Sequence, residues 1–95
     1  MSAAATIMNI VKRDGTLVRY RCDRIESAIY KATHAIGKPS RKMSRAMAAT
    51  VESALLSTYQ GDAVPSVEDI QDVVENVLMA NQHIDIARAY IIYRH

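Results

Sequence analysis

Lys12, Arg13, Arg19, Arg21 and Arg24 crowd into one short stretch around the dipeptide Asp14-Gly15. Lys and Arg give charge-assisted hydrogen bonds to phosphate, and Arg can do so with two parallel N–H groups. The Lys12-Arg13-Asp14-Gly15 turn also has backbone N–H groups to offer an anion. Arg21 and Arg24 flank the start of a helix, whose free N–H groups and dipole attract negative charge. Arg24 in a first helical turn is locally unfavourable, and local conflicts of this kind mark functional positions. The chemistry this cluster suits is the holding of a phosphate-bearing ligand. The plainer alternative is a solvated turn with its arginines lying along the surface.

Other chemistry finds little support. His34, His83 and His95 have no mutual ligand spacing and Cys22 has no partner cysteine, so no metal site is expected. No nucleophile–base pair can be argued, and no catalytic residue is assigned. GxxxxGK[ST] and GxGxxG loops are missing, so any nucleotide site is of another design. Glu68, Asp69, Asp72 and Glu75 stand at helical spacing and read as a solvated face. A second basic run, Lys38, Arg41, Lys42 and Arg45, reads as a solvated face, a subunit contact or an accessory phosphate contact. Near the end, Tyr93 and Arg94 could close a pocket against the hairpin, with a ring to stack on a base. Tyr90 reads as a core residue.

These side chains need elements to position them. Ile7 to Lys12 reads as a strand, Arg13-Asp14-Gly15-Thr16 as a tight turn, and Leu17 to Cys22 as the return strand. Alternation puts Val18, Tyr20 and Cys22 on the face towards the body, and Leu17, Arg19 and Arg21 on the other. Asp23-Arg24-Ile25-Glu26 has the form of a capping box opening a first helix. Ile25, Ala28, Ile29, Ala32 and Ile36 form its stripe, and Gly37 and Pro39 end it. Ser40 caps a second helix with Met43, Met47, Val51, Ala54 and Leu55 inward. The loop Gln60–Pro65 follows. Ser66 caps a third helix whose stripe is Ile70, Val73, Val74, Val77 and Leu78. Asn81-Gln82-His83 is a break, and Asp85–His95 is a last helix with Ile84, Ala87, Ile91 and Ile92 as candidate core. The fold class is α+β, mainly α: an N-terminal β-hairpin capping a bundle of four helices.

Ninety-five residues make one domain with one small core. All five aromatic residues are tyrosines, so aliphatic side chains and alanine must fill that core. The net charge of +2 is small, but it is unevenly spread: basic residues dominate from Lys12 to Arg45, whereas Glu52 to Asp85 holds acids and no Lys or Arg. One positive and one negative end are expected. Duplex nucleic-acid binders of this size are more basic overall, so a small anionic ligand fits better. Met1–Thr6 lacks the regions of a signal peptide and reads as a flexible tail. No apolar run is long enough to cross a bilayer, and the lone cysteine suits a reducing, cytoplasmic setting.

Taken together the pieces resemble the ATP-cone domain. The likeness rests on Lys12-Arg13-Asp14-Gly15 with its strands, Asp23-Arg24-Ile25 with Ala28-Ile29, the run Val67 to Glu75 with Leu78-Met79, and Ala87 to His95. It covers residues 7–95. ATP-cones stand at the N-terminus of ribonucleotide reductase large subunits, where ATP switches the enzyme on and dATP switches it off through oligomeric state. The ending looks most like cones of anaerobic or cobalamin-dependent reductases. The resemblance implies a regulatory domain with no catalytic site of its own, excised from a longer catalytic subunit. Its effector would be ATP or dATP with Mg²⁺, and its partners the remaining reductase subunits. By position, Lys12, Arg13 and Arg24 would meet the triphosphate, Ile10 and Val11 would line the pocket, Gln71 would stand near the nucleotide, and Tyr93 and Arg94 would close it. Val18 and Arg21 depart from the family pattern, standing where some cones carry Glu and Asn. Other readings are the cone of a transcriptional repressor, a helical DNA-binding module using Lys38 to Arg45, or a structural assembly domain.

Overall fold

The computed structural model describes residues 9–61 and 63–94. The expected tail over 1–6, the strand start at Ile7, Asp62 in the loop and the terminal His95 lie outside the described residues. The order is β1 (Asn9–Val11), β2 (Leu17–Arg19), α1 (Cys22–Ala35), α2 (Arg41–Thr58), α3 (Val67–Ala80) and α4 (Ile84–Arg94). It is the expected hairpin followed by four helices.

β1 and β2 pair antiparallel, with Asn9 opposite Arg19, Ile10 opposite Val18 and Val11 opposite Leu17. β1 ends at Val11 rather than Lys12, and β2 at Arg19 rather than Cys22. The Lys12 N–H donates to the Thr16 carbonyl at 2.9 Å and the Gly15 N–H to the Lys12 carbonyl at 2.9 Å, which closes the loop early. Gly15 sits at φ +86°, as the left-handed residue of a short hairpin loop must. Asp14 Oδ1 accepts from the Thr16 N–H (3.0 Å) and the Thr16 hydroxyl (2.6 Å). The N–H groups of Gly15 and Thr16 are therefore spent inside the turn rather than offered to an anion. On the far edge, Val11 donates to the Pro65 carbonyl at 3.0 Å and bridges Ser66 in parallel, which ties the hairpin to the loop before α3.

The expected capping box at Asp23 does not form. The N-cap falls two residues earlier, at Arg21, which has no side-chain capping bond. The physical reason is a competing ion pair: Arg21 donates through Nε (3.1 Å) and Nη2 (2.7 Å) to the two Asp23 carboxylate oxygens. α1 ends in a Schellman motif, with the Lys38 N–H on the Thr33 carbonyl and Gly37 at φ +75°. Ser40 caps α2, accepting from the Met43 N–H at 3.1 Å. Ser66 and Asp69 make a full capping box on α3.

The helices close a ring: α1 packs on α2 and α4, and α3 on α2 and α4. Ile29, Val51, Leu55, Val74 and Leu78 lie fully inside it. Two buried hydroxyls are satisfied: Thr33 donates to the Tyr30 carbonyl (2.6 Å) and Ser44 to the Ser40 carbonyl (2.6 Å). On α4, Ala87 and Tyr90 are buried as expected and Ile86 joins them, whereas Ile84 is 44% exposed and Ile92 77%. The helix is apolar on nearly every side, so periodicity could not orient it.

Candidate functional site

The hairpin does not lie flat on the bundle. Between its inner face and the helices is a cleft of about 420 Å³. Ile10, Lys12, Val18, Arg19, Tyr20 and Arg21 line it from the hairpin side, Arg24, Ile25 and Ala28 from α1, Val67, Ile70 and Gln71 from α3, and Tyr90 from α4. Alternation in β2 turns Val18 and Tyr20 inward, as the sequence indicated, and gives the cleft an apolar floor.

The rim is cationic. Lys12, Arg19 and Arg24 make no ion pair among the described residues, and no carboxylate lines the cleft. Arg21 is half neutralised by Asp23 but still lines the opening. Tyr20 lines the cleft and donates its hydroxyl to Glu52 Oε1 at 2.9 Å, which fixes its ring. Burial, and then the Glu52 carboxylate, push the Tyr20 pKa far up. Burial also raises the Cys22 thiol and pushes Tyr90 up to about 12, so both stay neutral near pH 7. On α3 the side-chain oxygen of Gln71 is buried and has no hydrogen-bond partner among the described residues. A buried acceptor left unpaired is costly, and it marks a place where a donor would bind well.

Of the residues singled out in the sequence, Ile10, Lys12, Arg21, Arg24 and Gln71 meet at this cleft. Val11, Arg13, Tyr93 and Arg94 do not line it. Val11 spends its backbone on the Pro65–Ser66 edge. Arg13 pairs with Glu68 at the start of α3. Arg94 is sunk against α3, with only 10% of its side chain exposed, and it bonds Glu75 and, at 3.2 Å, Asp72. Tyr93 is half exposed on the far side, where its hydroxyl accepts from Lys31 at 3.2 Å. Arg19, a member of the cationic cluster that alternation put on the outer face, lines the cleft as well, and so does Tyr20, for which the inward alternation is the signal. The acids of α3 are only in part a solvated face: Asp72 is exposed, but all four are engaged by other groups. Glu68, Asp72 and Glu75 pair with Arg13 and Arg94, and Asp69 caps the helix.

The family pattern described as ATP cone domain matches residues 8–95. The chain is 40% identical over 93 residues to a vitamin B12-dependent ribonucleoside-diphosphate reductase of Thermoplasma acidophilum, a stretch that is 93% of this chain and 12% of that protein. It is 37% identical over 87 residues to an anaerobic ribonucleoside-triphosphate reductase of Salmonella typhimurium, 92% of this chain and 12% of the relative. A vitamin B12-dependent ribonucleoside-diphosphate reductase of Mycobacterium tuberculosis matches at 41% over 83 residues, 87% of this chain and 11% of the relative. The chain thus spans only 11–12% of the length of these relatives. It belongs to the ATP-cone family.

Proposed function

We propose that this ATP-cone is the nucleotide-sensing regulatory domain of a ribonucleotide reductase catalytic subunit. The cleft under the hairpin is its effector site. One observation carries the reading: among the described residues, Lys12 and Arg24 rim an apolar cleft without an ion pair and the buried Gln71 oxygen has no partner. A nucleotide has the matching parts in one molecule. Its triphosphate suits Lys12, Arg19, Arg21 and Arg24, and its base suits Val18, Tyr20, Ile25 and Ile70. The adenine 6-amino group is a donor for Gln71 Oε1. Ile10 and the Val11 backbone shape the hairpin wall. Arg13 reaches the phosphates by exchanging Glu68 for them, and Tyr93 and Arg94 support the site from outside the cleft. Among the described residues no carboxylate lines the cleft and no metal-holding cluster occurs, so Mg²⁺ would ride on the phosphates and water.

In this reading residues 7–95 form the cone, and the catalytic machinery belongs to the rest of a longer cytoplasmic subunit. ATP and dATP share the triphosphate, so they must be told apart at the sugar. Each then shifts the hairpin–bundle arrangement, and with it the oligomeric state, only by its differential affinity for the two arrangements. Titration calorimetry with Mg-ATP and Mg-dATP tests the core of this. Both bind the folded chain, and Lys12→Ala weakens both alike, by about tenfold or more. A folded sample that binds neither nucleotide overturns the proposal.

A further inference from the structure

α1 borders a second concavity, of about 440 Å³. Ser27, Tyr30, Lys31 and His34 line it from α1, at the three- and four-residue spacing that puts them on one helix face. Arg41, the first residue of α2, closes it. None of these residues lines the cleft under the hairpin.

The side chains are held but not neutralised. The Arg41 guanidinium lies over the Tyr30 ring, 4.2 Å from its centroid. A guanidinium stacked this way keeps its N–H edges turned outward. Lys31 donates one N–H to the Tyr93 hydroxyl at 3.2 Å and rests 5.4 Å from that ring's centroid, which leaves two donors. The His34 ring leans on Tyr30 with centroids 6.4 Å apart. Among the described residues no carboxylate lines the concavity, and neither Lys31 nor Arg41 has an acidic partner. Of the neighbouring cations, Lys38 stands 3.8 Å from Asp85 and Arg45 3.8 Å from Glu26, whereas Lys42 makes no ion pair among the described residues. Lys31 and Arg41 therefore place unpaired charge together at one small concave spot.

We propose that this concavity is a second, separate anion site that takes a small phosphate-bearing ligand. The ligand's phosphate would be held by Lys31, Arg41, His34 and the Ser27 hydroxyl. The group recognised is the phosphate itself, whether from inorganic polyphosphate or from the tail of a nucleotide. Duplex DNA fits less well. It needs cations spread along several phosphates, and here the flanking Lys38 and Arg45 are already paired and the net charge is only +2.

The test is a titration of isotope-labelled protein with sodium triphosphate and, separately, with ATP, at constant ionic strength, followed by NMR signals of Ser27, Lys31, His34 and Arg41. The Lys12→Ala variant is used, so that ligand in the hairpin cleft is suppressed. Saturable shifts at these four residues are expected. Lys31→Gln with Arg41→Gln should weaken them by about tenfold or more while the fold, read by the remaining amide signals, is unchanged. Equal affinity for triphosphate and ATP identifies the free phosphate group as sufficient, and tighter ATP binding identifies a nucleotide tail; both support the site. Shifts that do not saturate, that chloride reproduces, or that survive the double substitution overturn it. So does a short DNA duplex that displaces triphosphate from these residues. Loss of binding in the hairpin cleft alone would instead count against the effector reading above.

Discussion

Gln71 is the residue whose surroundings say most about the cleft. Its side-chain oxygen is buried without a donor, a cost of about 1–3 kcal/mol for a group that must give up water. A methionine has similar bulk and no such need. Gln71→Met should therefore stabilise the nucleotide-free chain, by about 1 kcal/mol, seen as a higher urea midpoint with an unchanged slope. The same change should weaken ATP while leaving inorganic triphosphate unaffected in the hairpin cleft. A variant that is less stable, or that loses both ligands equally, would remove Gln71 from the base end of the site. At this scale the sequence was only partly legible. Lys12 and Arg24 could be picked out because a cation at a turn and at a helix start has little structural use. Arg13 and Arg94 looked identical in type, yet the structure gives them acidic partners on α3 far away in the chain, at Glu68, Asp72 and Glu75. No local pattern reveals such a pairing.

The elements follow from their ends, and where an end had a single reading the sequence told it. Ser66 with Asp69 three residues on is a capping box in both sequence and structure. Asp23 failed because Arg21 bound it first. α4 lacked a polar face to orient it. Several ends rest on carboxylates, and this gives a pH dependence. Asp14 is held below its ordinary 3.8 by the Thr16 hydroxyl and then its N–H; Asp69 is held below 3.8 by the Ser66 N–H. Glu68 is held below 4.5 by the Arg13 guanidinium. Folding lowers these pKa values, so in the acid range the unfolded chain binds more protons. The stability they give is fully present above the ordinary values and is lost as pH falls through the lower folded values. Urea midpoints should thus drop from pH 5 to pH 3, and the drop should be smaller in Asp69→Asn. The end of α3 offers a simpler test. Gln82 takes the left-handed position, φ +64°, of a Schellman turn in which the His83 N–H reaches the Leu78 carbonyl at 2.8 Å. A side chain there is strained, so Gln82→Gly should raise stability by about 0.5–1 kcal/mol in thermal or urea unfolding.

The molecule as a whole has two parts of unequal firmness. The ring of four helices encloses the core, whereas the hairpin contributes only partly buried side chains, Ile10, Tyr20 and their neighbours, to its edge. Its ties to the body are few: the Val11–Pro65 hydrogen bond, the Arg13–Glu68 pair, and Tyr20 on Glu52. A two-stranded hairpin has little stability of its own, so this segment should open more readily than the bundle. A ligand in the cleft touches both parts at once. It stabilises the closed form by RT ln(1 + [L]/Kd), about 2.7 kcal/mol at a hundredfold excess over Kd. For amides that exchange by opening of the hairpin alone, all of that free energy should appear as slower exchange, about a hundredfold. Val11 and Gly15, whose N–H groups are bonded within or beside the hairpin, are the reporters to follow. Deep bundle amides such as those of Val51 and Leu78 exchange through global unfolding and slow by the same factor from a much lower starting rate. Before ligand is added, hydrogen exchange should therefore separate the hairpin from the bundle, and with ATP bound both should slow. If the hairpin amides already exchange as slowly as Val51, or ATP slows the bundle and leaves Val11 unchanged, the hairpin is not the moving part of the sensor.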